Sequence, residues 1–280
     1  MFSAGQALQV RPAPTMRFAV LSFILLVLLL VLAARAEARL TAPEIDAVVA
    51  APPSNAQVPL ALTLQDETGV KRTLQAAIAS TPAVLILADY ACQALCGPVL
   101  TLVATSLERS GLQAGKDYRL VVIGLDPRKG PAQAKAMKAA QIGESGPLAA
   151  ATTLLSADDV TLHQLTTALG YRSVYDAEND QFAHPVVVFV LTADGRVARA
   201  LSALGIDADD LRLALIEAGE GRIGSTADKI RLLCYGFDPA AGVYTPAVHR
   251  LLAFGWLLTA IGLASGIGMI AVKSRRARAS

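Results

Sequence analysis

Hydrophobic positions divide the chain into a patterned middle and two uniformly apolar ends. Leu60, Leu62 and Leu64 alternate with Ala61 and Thr63, which predicts a half-buried strand. Asp66-Glu67-Thr68-Gly69 predicts a turn, and Val70 to Leu74 the returning strand. Pro82 introduces the continuous run Ala83 to Ala88, the pattern of a strand buried on both faces. Leu100, Val103, Ala104 and Leu107 recur at helical spacing, predicting a helix over 97–110 that ends at Gly111. Tyr118 to Leu125 predicts a second buried strand, and Pro131 to Ala140 a short helix with proline in its first turn. Ser156 to Asp159 has the form of an N-cap with early acids, opening a helix to Leu169 that stops at Gly170. Val186 to Leu191 predicts a third buried strand, turning through Ala193-Asp194-Gly195 into Val197 to Leu201. Asp207 to Ala218 is patterned as a last amphipathic helix. Strand, helix, strand, then a hairpin and a helix, predicts an α/β domain with a mixed sheet flanked by helices. The Ala- and Pro-rich residues 37–58 are expected to form a linker leading into it.

The ends predict a topology. Phe18 to Ala34 carries no charge, follows Arg11 and Arg17, and precedes Ala34-Arg35-Ala36. A basic start, an apolar stretch and an A-x-A site predict an export signal over 1–36 cut after Ala36, with an uncleaved N-terminal anchor as the alternative. Leu251 to Val272 is a longer uncharged stretch; as a helix it reaches about 33 Å, enough to cross a hydrocarbon core. Lys273, Arg275, Arg276 and Arg278 follow at once, and such charges mark the cytoplasmic side. The expectation is a membrane-anchored protein with a single C-terminal span at 251–272, a basic tail at 273–280 and its main domain periplasmic. Residues 221–250 would form a membrane-proximal segment. Gly262 and Gly266 form a GxxxG pair that hints at a homodimer.

Charge supports this division. The ends hold seven of the 25 basic residues and none of the 23 acidic ones, which leaves the middle net −5. A mildly acidic domain argues against a nucleic-acid binder. The 54% hydrophobic content, at a mean hydropathy of +0.47, argues against disorder.

An exported domain meets an oxidising compartment, where cysteines pair or bind metal. Cys92 and Cys96 fall between the first buried strand and the following helix, where the helix N-terminus is expected to favour thiolate. Thiolates exchange disulfides and bind soft ions such as Cu(I); a plain structural disulfide is the other reading. Of the three histidines, His163 lies in a helix as a surface residue, and His249 lies beside the predicted span. His184 precedes the third buried strand. If that strand runs antiparallel to Ala83–Ala88, His184 starts at the same sheet edge as the cysteines, either as a ligand or as a satisfied loop histidine. Cys234 reads as a buried inert thiol or an intermolecular disulfide. Gly219-x-Gly221-x-x-Gly224 follows a helix instead of a buried strand, which discounts a nucleotide site.

Cys92-x-x-x-Cys96 after an apolar strand, Gly124-Leu125-Asp126-Pro127-Arg128 after the second and His184 before the third resemble the Sco/SenC family. The Tyr171 to Asp176 segment and the Leu191 to Arg196 turn are also similar, and the C-terminal part resembles a bacterial subgroup with a membrane anchor. The resemblance implies a thioredoxin-like domain over 59–220 that binds copper, Cu(I) or Cu(II), through Cys92, Cys96 and His184. It further implies a metallochaperone whose partner is the cytochrome c oxidase subunit carrying the copper A site. Gln93-Ala94-Leu95 departs from the family loop, which usually has proline after the first cysteine. Asp126 is expected to serve its turn and not the metal. The competing class is an enzyme: a thiol-disulfide oxidoreductase using Cys92 and Cys96 on partner cysteines without metal. A sensor coupling copper or redox state to a membrane partner is a third.

Overall fold

The computed structural model describes residues 40–220 except Gln93 and Ala94, together with 235–238, 243–246, 256–259, 261–263 and 265. The chain divides into two units, 1–41 and 42–280, and all elements named here belong to the second. In chain order they are α1 (Ala42–Asp46), β1 (Val49–Ala50), β2 (Thr63–Asp66), β3 (Lys71–Thr73), α2 (Leu74–Ile78), β4 (Ala83–Ala88) and α3 (Cys96–Arg109). Then come β5 (Arg119–Gly124), α4 (Pro131–Gln141), α5 (Pro147–Ala150), β6 (Thr152–Ser156), α6 (Asp159–Ala168), β7 (Tyr171–Arg172), β8 (Val174–Asp176) and β9 (Gln181–Ala183). Last are β10 (Val187–Leu191), β11 (Val197–Ser202), α7 (Ala208–Ala218), β12 (Tyr235–Asp238) and β13 (Val243–Pro246).

A seven-stranded mixed sheet in the order β11-β10-β4-β5-β6-β2-β3 forms the centre. The β4–β5 and β5–β6 pairs are parallel; β10 runs antiparallel to both β4 and β11. Every residue of β4 is buried, and its side chains alternate between two cores. Val84, Ile86 and Ala88 pack with Leu100, Val103 and Leu107 of α3 and Leu211 and Leu215 of α7. Leu85 and Leu87 pack on the other face with Leu74, Ile78, Leu165 and Phe189. This alternation is why a strand covered on both faces reads as one unbroken apolar run. The architecture agrees with the expected thioredoxin-like class.

Local chemistry sets the helix ends. Asp158 accepts from Thr161 N at 2.8 Å and Asp207 from Asp210 N at 2.8 Å, each satisfying a free amide of its helix. Gly170 (φ +57°) closes the turn after α6, and a Cβ there would sit 2.1 Å from the Ala51 carbonyl. That close approach is what lets β1 pair with β7.

Several expectations are corrected. Ser156 is the end of strand β6, and the cap of α6 is Asp158; β6 reads Thr-Thr-Leu-Leu-Ser, too short and polar to announce itself. Leu60 and Leu62 precede β2, because Leu62 N bonds back to Pro59 O in a turn. Within residues 37–58, expected as a linker, lie α1 and β1, and Val58 is buried with its amide on Gly195 O. The segment is held by backbone bonds that a Pro- and Ala-rich composition does not signal.

The predicted export signal at 1–36 lies outside the described residues, as do Cys234 and His249. Within 251–272 the described residues 256–259, 261–263 and 265 are helical, and Trp256, Leu257, Leu258, Ile261 and Leu263 are exposed; the rest lies outside. Among the described residues no helix is long and apolar enough to cross a membrane.

Candidate metal and redox site

The antiparallel pairing of β10 with β4 places Val188 opposite Ile86 and Leu191 opposite Ala83. The end of β4 and the start of β10 therefore share one edge of the sheet. Cys92 follows β4, Cys96 opens α3, and His184 sits in the turn between β9 and β10. Cys96 Sγ lies 3.2 Å from His184 Nε2, across 88 residues of sequence. Cys92 is half-buried, Cys96 is buried, and the two thiols are hydrogen-bonded. The other ring nitrogen, Nδ1, is 3.0 Å from Tyr171 Oη and 3.1 Å from Pro185 O. Tyr171 O–H donates to Pro185 O at 3.1 Å. An Nδ1–H tautomer satisfies this arrangement: Nδ1–H faces two oxygens, and the Nε2 lone pair faces the sulfur.

Burial governs the titration of these groups. It pushes the Cys96 thiol up to about 12, helped by the hydrogen bond that the protonated Cys96 donates to Cys92 and by the neighbouring charges of Cys92 and Asp89. Burial also pushes His184 below its usual range. The expected thiolate at the helix N-terminus is thus overturned for Cys96, because desolvation outweighs the helix end. Burial thus favours the uncharged form of both groups.

Cys92, Leu95, Cys96, Phe182, His184 and Val186 line a mainly apolar cavity of about 190 Å³. Its donors, two sulfurs and an imidazole nitrogen, suit a soft ion, and the Nδ1 anchorage is the outer support a metal-bound histidine requires. Among the described residues, however, no three His, Cys, Asp or Glu groups converge as a finished metal cluster. Cys96 and His184 are brought together; Cys92 borders them.

His163 is exposed on α6 and lines a different cleft. Asp126 is buried and takes Arg128 N at 2.9 Å, Nε at 2.8 Å and Nη2 at 2.7 Å, the turn role expected of it. Sequence reasoning missed two residues that support the site, Tyr171 as a partner of His184 and Asp89. The only sign of Asp89 is a charged residue ending an all-apolar strand three positions before Cys92.

Among solved structures, the chain is similar to a candidate electron transfer protein from Aquifex aeolicus VF5, at 22% identity and TM-score 0.53. That match covers 59% of this chain and 94% of the other. A candidate electron transport protein from the same organism is similar at 22% identity and TM-score 0.50, covering 59% and 98%. Sco/SenC-family structures are among the matches. One is Bradyrhizobium japonicum ScoI, solved with copper bound, at 17% identity and TM-score 0.44, covering 60% and 99%. At these identities the Aquifex likeness carries the fold alone. No family model and no curated protein matches the chain.

Proposed function

We propose that this chain binds one copper ion through Cys92, Cys96 and His184 and passes it on as an assembly factor for a cytochrome c oxidase. Its client would be the subunit carrying the copper A site. The observation that carries the reading is the 3.2 Å approach of His184 Nε2 to Cys96 Sγ, with Nδ1 anchored behind it. Disulfide exchange needs no such imidazole. In the bound state Cys92 and Cys96 give up their protons, and two sulfurs and one nitrogen surround the ion. A disulfide between the cysteines removes both thiolates, so copper loading requires the reduced pair. The exported, membrane-anchored placement read from the two ends suits a client in the same membrane.

The half-exposed Cys92 beside a buried Cys96 also suits thiol-disulfide exchange. In that reading Cys92 thiolate attacks a partner disulfide to form a mixed disulfide. Cys96 then attacks the Cys92 sulfur, releasing the reduced partner dithiol and leaving the Cys92–Cys96 disulfide. Copper stoichiometry of the reduced protein separates the two. The parent is expected to hold one ion, Cys92→Ala and Cys96→Ala none tightly, and His184→Ala to bind weakly. Equal binding by His184→Ala and the parent would move the oxidoreductase ahead.

A further inference from the structure

Asp89 stands where the two chain segments carrying the proposed ligands meet. It is fully buried just beyond β4, where a carboxylate without partners would cost several kcal/mol. Oδ1 accepts from Ala91 N at 2.9 Å, and the Asp89 carbonyl accepts from Cys92 N at 3.1 Å. These bonds fold the turn that presents Cys92. Oδ2 reaches across 93 residues to Phe182 N at 3.0 Å. Phe182 lies in β9, two residues before His184. One oxygen therefore holds the cysteine turn and the other holds the histidine arm. The arm needs such a tie, because β8 and β9 form a two-stranded sheet of their own outside the central one. Its other polar ties include Arg128 and Lys129 to Asp180, a pairing whose Asp180 side chain is exposed.

We infer that Asp89 is a positioning residue that holds the His184 arm against the two thiols, so that the imidazole reaches an ion the thiols hold. The inference rests on the copper reading above and goes beyond its three ligands. Charge and geometry make opposite predictions here. Two thiolates and one Cu(I) leave the loaded site net negative, so removing the buried Asp89 charge by Asp89→Asn on charge alone favours loading. A loss of affinity in that variant reports geometry.

The test is Cu(I) titration of the reduced full-length protein against a chromophoric chelator, for the parent, Asp89→Asn, His184→Ala and the double variant. Amide exchange at Phe182 and Val122 is followed in the copper-free protein. Asp89→Asn is expected to weaken Cu(I) by about ten- to a hundredfold, the usual cost of losing an outer support. It should add nothing to His184→Ala, since both act through the imidazole. Phe182 should exchange faster while Val122, in the core strand β5, stays slow. If Asp89→Asn loses protection at Val122, Asp89→Ser replaces it. That shorter side chain still accepts from Ala91 N but is too short for Phe182, and the same pattern is expected. Parent-like affinity, or a full additional loss in the double variant, overturns the inference. If the parent takes up no copper, the proposed function falls. Exchange at Phe182 then decides: faster in the variant upholds the role of Asp89 in holding the arm, and unchanged exchange overturns it.

Discussion

At the scale of single residues, burial of Cys96 sets the protonation state that a ligand must change. Cys96, pushed up to about 12 by burial, stays protonated throughout neutral pH and must lose that proton to bind an ion. Raising the pH therefore favours the metal, by about tenfold per unit for each proton released. Cu(I) affinity of the reduced protein, measured at pH 6, 7 and 8 against a chelator of known pH dependence, is expected to climb. A flat profile would mean that Cys96 is not a ligand. The cysteine spacing and the isolated histidine were legible in the sequence because few residue types can do this chemistry. The protonation of Cys96 was not, since it depends on desolvation by side chains distant in sequence. Asp89 and Tyr171 were hidden for the same reason: their partners lie 93 and 13 residues away.

At the scale of elements, strands β4, β5 and β10 and helices α3 and α7 were readable because the strands are apolar apart from Arg119 and the helices clearly periodic. Strands β6, β8 and β9 were not, since polar residues interrupt β6, and β8 and β9 have only three residues each. The junction of β4 and β5 carries a constraint of its own. Tyr90 O–H donates to Val122 O at 3.0 Å and Leu155 O at 2.7 Å, and its ring lies across Gly124. A Cβ on Gly124 would meet that ring at 2.8 Å, in a core where neither backbone can retreat freely. Gly124→Ala is expected to destabilise the domain by about 1–3 kcal/mol, the usual range for overpacking. Thermal unfolding would register this as a lower Tm. An unchanged Tm would show that Tyr90 can move aside without loss.

For the whole molecule, the sequence predicts a direction as well as a fold. The basic tail and the predicted export signal together predict that residues 37–250 face the periplasm and Ser280 the cytoplasm. Reporter fusions at Arg250 and Ser280 test this. A periplasmic reporter should be active at the first and a cytoplasmic one at the second; the reverse would leave the metal site in the wrong compartment for its proposed client. The mixed sheet was predictable from the order of buried runs, and its antiparallel β10 brings His184 to the cysteine edge. The central claim is that all three side chains meet on one ion. X-ray absorption at the copper edge of the loaded protein tests it most directly, with His184→Ala as comparison. Two sulfur neighbours and one nitrogen, with the nitrogen lost in the variant, are the predicted result; an environment unchanged by removing His184 would contradict it.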